Sequence, residues 1–393
     1  MAPKSVFYSL FASLSLALAA ATPEPDFETI VVGGGPAGLS ALSGLSRVRR
    51  SAVLFDSHEY RNDPTRNMHD VIGNDGRSSY SSVTEIKSSS PCQRLTSPGT
   101  VPSEFRGLAR DQITANYNET ATFIDQKIQT IEPISIPKNE DATDTLFKAT
   151  DATGKEYYAK KVVLATGMID ILPDTPGLQE AWGKGVYWCP WCDGFEHRDQ
   201  PFGVLGPLPD ALSSVNEIWT LNKDIVIYLN GTQTPEAEAA ITKKDPNWRQ
   251  LFDKYGVRVD NRVIASFERL QDGNTHKDNH GRQFDIFRIH FVDGSHEDRH
   301  AFMTNYPSAQ RSDLPDRLGL AMIDGKIDAQ SNPGMRTTLP GVFAIGDCNS
   351  DGSTNVPHAM FSGKRAAVFL HGMSLPLSLS PSFSISPTKY PSQ

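Results

Sequence analysis

Phe27-Glu28-Thr29-Ile30-Val31-Val32-Gly33-Gly34-Gly35-Pro36-Ala37-Gly38 is a short apolar strand that runs directly into a Gly-X-Gly-X-X-Gly turn, and Leu39, Leu42 and Leu45 follow at helical spacing. Each glycine has its own reason. Gly33 permits the tight turn, Gly35 lets the backbone approach a pyrophosphate, and Gly38 lets helix and strand pack closely, with the helix N-terminus facing the phosphates. A second apolar strand over residues 51–55 ends at Asp56, 23 residues after Gly33, which suits the acid that binds a ribose hydroxyl. A purely structural Gly-rich turn is the competing reading. The strand before the turn, the helix after it and the acid at this distance favour a dinucleotide site in an α/β fold.

The chain has 393 residues, 38% hydrophobic and 21% charged, so it is long enough for two globular domains of ordinary size. Its formal charge of −8, with no basic block or basic amphipathic helix, argues against a general nucleic-acid or anionic-membrane binder. Residues 1–21 read as a secretory signal peptide. Lys4 gives the positive start, an apolar run interrupted by serines follows, and Ala19-Ala20-Ala21 offers small residues for cleavage. A retained anchor would want ~20 predominantly apolar residues, and Thr22-Pro23-Glu24-Pro25 cuts this run short.

Four cysteines are too few to staple a chain of this length, so the fold relies on an apolar core. Two of them form Cys189-Pro190-Trp191-Cys192-Asp193-Gly194, a spacing that can close a disulfide or attack one. At a helix start the first thiol faces unpaired N–H groups, which favours the thiolate near neutral pH. Half of a zinc site is the alternative, and it would need two more ligands. His197 is nearby, but there is no second Cys pair, so no metal is assigned. Nothing pairs Cys92, in a Ser-rich loop, with Cys348.

Other segments carry weaker signals. Arg61, Asn62, Met68 and His69 lie in a loop that could close over the cofactor, with a surface salt bridge and an ordinary loop histidine as competing readings. Residues 77–98 read as a mobile Ser-rich insertion, 103–116 as an amphipathic helix, and 129–136 and 145–152 as a hairpin. Residues 161–165 form an apolar strand ending at Ala165-Thr166-Gly167, where main chain could lie against a planar ligand. A Pro-rich crossover then leads to the Cys pair. After a strand at 202–205, Gly206-Pro207-Leu208-Pro209-Asp210 stands where a second dinucleotide loop belongs. Leu208 replaces the second Gly and would sit where a pyrophosphate must touch the backbone, and two prolines remove N–H donors. The strand over 224–229 ends without Arg or Lys for a 2′-phosphate, and strands at 256–259, 263–270 and 284–292 are expected to complete that sheet. Near Ala301 the chain is expected to return to the first domain, where Gly346-Asp347 ends a buried strand with an acid suited to a ribityl or phosphate-side hydroxyl. His358 opens the helix over 361–371, capped by Gly372. There it could take a thiol proton or simply hydrogen-bond the helix start.

In order, the glycine loop, the Ala-Thr-Gly strand end, Cys-X-X-Cys-Asp-Gly and the Gly-Asp strand end resemble the thioredoxin-reductase-like flavoproteins, the class II pyridine nucleotide-disulfide oxidoreductases. The resemblance implies two Rossmann-like three-layer α/β domains. The FAD-binding domain would be discontinuous, over 27–167 and 299–372, around an inserted NAD(P)-type domain over 168–298, with a disordered tail at 373–393 and a homodimer overall. It implies FAD at the first loop, held from Gly33, Gly35, Gly38, Asp56, Arg61, Asn62, His69, Ala165, Gly167, Gly346 and Asp347. Cys192 would lie against the flavin and Cys189 would attack the substrate sulfur. Asp193 would manage the thiol proton, unless it only stabilises a helix dipole. The degraded NADPH loop, the missing Arg cluster and Val356-Pro357-His358 in place of Arg-Gln depart from the reductases and look like the fungal gliotoxin-oxidase type. There a small-molecule dithiol is oxidised and O2 receives the electrons. An NADPH-dependent disulfide reductase and a non-catalytic flavin-binding protein are the alternatives.

Overall fold

The computed structural model describes residues 23–72, 100–139, 142–329 and 333–373. The leader at 1–21, the insertion at 77–98 with Cys92, and all of the tail after Met373 lie outside the described residues. Among the described residues no helix is long and apolar enough to cross a membrane.

Strand β1 (Phe27–Val32), helix α1 (Pro36–Arg47) and strand β2 (Ala52–Phe55) form the unit anticipated from the glycine turn, with β1 and β2 parallel. Helix α2 (Pro102–Tyr117) leads to β3 (Ala121–Ile124), parallel to β2 on its outer side. Ile30, Val31, Val53 and Leu54 are wholly buried. Both faces of the sheet are covered, which is why these strands read as continuous apolar runs rather than alternating ones. The hairpin is β4 (Ile128–Asn139) with β5 (Ala142–Asp151), and β6 (Glu156–Leu164) follows it. The first residues of β6 pair antiparallel with β5, while Ala159 to Leu164 pair parallel with β1.

Strand β7 (Met168–Asp170) carries the chain across to a second sheet. There α3 (Leu178–Ala181), β8 (Val186–Tyr187) and the short α4 (Pro190–Asp193) precede β9 (Phe202–Leu205), α5 (Leu208–Ile218) and β10 (Ile225–Tyr228). Helices α6 (Pro235–Lys244) and α7 (Trp248–Tyr255) lead to β11 (Arg258–Asp260). Next come β12 (Ile264–Gln271), β13 (Ile286–Phe291), β14 (His296–Arg299) and β15 (Ala301–Thr304). The second sheet has the order β11-β10-β9-β15-β8 and is parallel throughout.

Two expectations are corrected here. The strands expected over 263–270 and 284–292 do not complete the parallel sheet; β12, β13 and β14 form an antiparallel sheet of their own. Burial alternates along β13, so only one face is covered, and Phe267, Phe287, Ile289 and Phe291 pack that face onto Tyr228 and Phe302 of the parallel sheet. The chain also returns later than residue 299, because β15 lies between β9 and β8. An apolar run such as Ala301–Thr304 suits any buried strand and carries no local mark of its sheet.

The return is made by β16 (Ser308–Gln310), antiparallel to β7, so the two crossings run side by side. Helix α8 (Leu314–Arg317), β17 (Met322–Ile323) and β18 (Lys326–Ile327) lead to β19 (Val342–Ala344), which pairs parallel with the end of β6. Helix α9 (Val356–Met373) closes the chain against α1, with Gly44 against Ala367 and Gly363 against the backbone of Ala37. Gly372 lies inside α9 and does not cap it.

Candidate active site

The C-terminal ends of β1, β2, β6 and β19 open on one elongated cleft. Its empty space is about 1390 Å³, counting the part open to solvent. Gly33, Gly35, Asp56, Arg61, Asn62, His69, Ala165, Gly167, Gly346, Asp347, Cys192 and Asp193 all line it. Helix α1 points its N-terminus into the cleft. Gly35 is its N-cap, has no side chain to bond the first N–H groups, and is followed by Pro36. These free donors, with the helix dipole behind them, form an anion site.

The glycines divide into two kinds. A methyl on Gly33 would stand 2.2 Å from the Ala165 carbonyl oxygen at a φ of +118°, so this glycine is required by the protein's own packing. A methyl on Gly35 would meet no protein atom within 4 Å. The space beside Gly35 is open and belongs to the cleft.

Asp56 is buried at the end of β2, where it accepts from the His58 N–H at 2.9 Å, the Tyr60 hydroxyl at 2.7 Å and Arg110 at 3.1 Å. Burial and the Asp56 carboxylate together hold the Tyr60 phenol well above its ordinary range. Arg61 proves to be an ion-pairing residue and a cleft residue at once. It bonds Asp347 at 2.8 Å and Asp170 at 2.5 Å, with its guanidinium 4.7 Å from the Trp188 ring centre. Thr354 donates to the other oxygen of Asp347 at 2.9 Å. Asn62 accepts from Arg106 at 3.4 Å.

Cys189 and Cys192 are joined as a disulfide, with Cys189 as the N-cap of α4. Cys192 lines the cleft and Cys189 does not, so the two sulfurs are inequivalent. Asp193 follows Cys192 at the cleft wall. Burial raises its carboxyl from 3.8 to about 6, opposed in part by His69, His197 and a hydrogen bond from the Thr65 hydroxyl at 3.1 Å. The carboxyl can therefore exchange a proton close to neutral pH. His69 Nδ1 lies 2.7 Å from the Cys192 carbonyl oxygen, and a carbonyl only accepts, so this nitrogen carries the hydrogen. Nε2 is then left facing Glu196 at 3.6 Å. His197 is tied into the turn: Nδ1 contacts the Asp193 carbonyl oxygen at 3.0 Å and Nε2 contacts Asp285 at 3.2 Å.

Residues 27–363 match the family described as pyridine nucleotide-disulphide oxidoreductase. The chain belongs to that family. It is 48% identical over 354 residues to a probable thioredoxin reductase of Arthroderma benhamiae, covering 89% of this chain and 80% of that one. It is 32% identical to thioredoxin reductase tcpT of Claviceps purpurea, over 86% of this chain and 90% of that one. A putative thioredoxin reductase TrxB from Bacillus anthracis shares the fold, with a TM-score of 0.68 at 21% identity over 88% of this chain and 98% of that one.

This pyridine nucleotide-disulphide oxidoreductase is thus a thioredoxin-reductase-like flavoenzyme acting on sulfur groups, with two Rossmann-like units. Its cofactor is FAD, which the residues present fit. The uncapped end of α1 and the vacant side of Gly35 suit the pyrophosphate, Asp56 suits the ribose, and the strand ends at Ala165 and Gly346 bound the rest of the cleft.

Two site expectations change. His358 is not at the cleft wall; its imidazole faces Asp351 at 3.2 Å and its N–H bonds Asn355 at the start of α9. His69 is the histidine beside the disulfide turn. The Leu208 side chain is wholly buried in the core beneath β9 and does not fill a pyrophosphate position. In this second loop Pro207 is the N-cap of α5 and has no N–H, Pro209 occupies the place of Pro36 in the first loop, and Asp210 adds a carboxylate to the first turn. On β11 and just after it, Arg258 and Arg262 are paired with Asp260 and Glu297. Thr65, Trp188 and Thr354 carry no local sequence signal and were found only by position.

Proposed function

We propose that the enzyme is a dithiol oxidase that converts a small-molecule dithiol of secondary metabolism to its disulfide, with dioxygen as electron acceptor and hydrogen peroxide as co-product. The observation that carries this reading is the second nucleotide loop, where Pro207 lacks the N–H that Gly34 has in the first loop, Leu208 stands in place of the second glycine, and Asp210 puts a carboxylate in the first turn of α5.

A substrate thiolate attacks Cys189 Sγ, the Cys189–Cys192 bond breaks, and Cys192 leaves as a thiolate beside the cleft. The second substrate sulfur, deprotonated, then attacks the substrate sulfur of the mixed disulfide and releases Cys189. Substrate has lost two electrons and the cysteine pair has gained them. Of the two substrate protons, one passes to Asp193 and on to solvent, and the other protonates Cys189. FAD, held by the N-terminus of α1 and Asp56, would supply the two-electron acceptor between the cysteine pair and dioxygen. Asp193 is suited to the proton step because burial has brought its carboxyl to about 6.

The names of the relatives favour a second reading, an NADPH-driven reductase of the thioredoxin-reductase kind. Oxygen uptake separates the two: the oxidase consumes oxygen and forms peroxide with a dithiol alone, and absence of both with every dithiol tried rules it out. The proposal extends to a homodimer, on the family resemblance. The apolar leader at residues 1–21 supports a secretory location, where the product disulfide escapes the reducing cytosolic thiol pool.

A further inference from the structure

The loop after β2 crosses to the second unit and grips it around the disulfide turn. Arg66, with its side chain 9% exposed, directs one guanidinium nitrogen to Gln283 and Asp285, each at 2.8 Å, and the other to Asp285 at 2.8 Å and Asp272 at 2.5 Å. Asp285 is wholly buried, and despite that burial its bonds from Arg66 and His197 hold it well below the usual carboxylate range. From Asp285 the network continues through His197 to the carbonyl of Asp193. On either side of Arg66, Thr65 donates to the Asp193 carboxylate at 3.1 Å and His69 reaches the Cys192 carbonyl at 2.7 Å. The backbone of Pro64 and Thr65 also lies so close to Gly183 that a methyl there would stand 2.9 Å from the Thr65 nitrogen.

We propose that the segment 65–69 is a clasp that holds the disulfide turn at the flavin cleft, with Arg66 as its anchor and positioning residue. The arrangement has three properties that an incidental surface contact lacks. The ion pair is two-pronged and buried, which fixes orientation as well as distance. Its acid, Asp285, is also tied by Arg269 and Gly273, so the anchor point is rigid. All three grips end on the turn that carries Cys192 and Asp193, through a main-chain oxygen, a carboxylate and the Asp285–His197 relay. The clasp therefore sets the placement of Cys192 against the cofactor while leaving the outer sulfur, Cys189, open to substrate. It makes no use of the direction of electron flow and would serve either reading of the function.

The test separates positioning from sulfur chemistry in the FAD-loaded enzyme. Arg66→Met and Arg66→Lys are mixed anaerobically with dithiothreitol. Reduction of the disulfide is followed by quenching and thiol alkylation, and reduction of the flavin by its absorbance. A misplacement of ~1 Å costs roughly 100-fold in a positioned reaction. The clasp predicts flavin reduction slowed roughly ten- to hundred-fold in Arg66→Met and less in Arg66→Lys, which keeps the charge, while disulfide reduction stays within about twofold of wild type. Flavin reduction at the wild-type rate in both variants overturns the proposal, as does a parallel fall of both steps. If dithiothreitol leaves the wild-type flavin oxidised, the flavin is photoreduced and its electrons are followed to the disulfide instead. The same slowing in Arg66→Met then supports the clasp and an unchanged rate overturns it, while the oxidase reading is judged separately by oxygen uptake with other dithiols.

Discussion

Replacing Asp193 by Asn should make the protein more stable at pH 8 and less active, with both effects arising from one carboxyl. Burial lifts that carboxyl from 3.8 to about 6, and the nearby His69 and His197, with the Thr65 hydrogen bond, offset only part of the lift. A shift of ~2 units at ~1.4 kcal/mol per unit amounts to ~3 kcal/mol. The folded-state value lies above the unfolded one, so the folded protein prefers the protonated acid. Stability is fully present below about pH 4 and is lost as pH rises through about 6. Asn carries no charge at any pH and still offers an acceptor to Thr65. At pH 8 it should recover that loss, a gain of ~3 kcal/mol, because the Thr65 bond is already part of the net shift. At roughly 2–4 °C per kcal/mol, Asp193→Asn should melt roughly 6–12 °C above wild type at pH 8 and level with it near pH 4. The same variant should reduce its flavin with dithiol ~10²–10⁴-fold more slowly, the usual loss for a missing proton acceptor. Melting curves of the oxidised, FAD-loaded proteins across this pH range are the assay. A variant that melts at or below wild type at pH 8 refutes the burial argument, and an unchanged rate refutes the role in proton transfer.

Gly35→Ala should leave the apoprotein's stability within ~0.5 kcal/mol of wild type yet weaken FAD binding, because the added methyl meets no protein atom within 4 Å and lies at the cleft wall. Gly33→Ala, at a φ of +118° and 2.2 Å from a carbonyl oxygen, should instead destabilise the apoprotein itself by ~1–3 kcal/mol, which thermal melting of both apo variants distinguishes. Cys189→Ser should leave Cys192 free beside the cofactor and give a long-wavelength thiolate–flavin absorption band, whereas Cys192→Ser, mixed with the product disulfide, should let the Cys189 thiolate open it into a mixed disulfide detectable by mass. A reversal of those two outcomes would exchange the inner and outer sulfurs. Trp191 is 66% exposed between the two cysteines. Trp191→Ala should raise KM for an apolar dithiol roughly tenfold, a loss of ~1.4 kcal/mol, with kcat and the melting point unchanged; equal loss of kcat would contradict a role in binding alone.

The parts legible in the sequence were those that local chemistry specifies. The β1–turn–α1 unit announced itself because a tight turn, a close packing contact and a phosphate each demand glycine at a fixed spacing. Cys189 and Cys192 were legible because three residues of separation place two thiols within bonding reach. Contacts that depend on which elements meet in space were not legible. Arg66 and Asp285 lie 219 residues apart, and an Arg in a polar loop looks the same whether solvated or buried in an ion pair. Leu208 was misread for a related reason: the sequence places it at the start of a helix, but the core beneath that helix decides which way its side chain turns. The antiparallel sheet β12–β14 was taken for part of the parallel one because short apolar runs do not specify their partners. His358 and His69 exchanged importance because proximity to the disulfide turn is set by the path of the loop after β2.

The central claim is that electrons enter through sulfur, and anaerobic stopped-flow mixing tests it most directly. The FAD-loaded enzyme is mixed in parallel with a dithiol and with NADPH while the flavin absorbance is recorded. The account predicts bleaching by the dithiol and none by NADPH on the same time scale. Bleaching by NADPH as fast as by the dithiol, or faster, would contradict it.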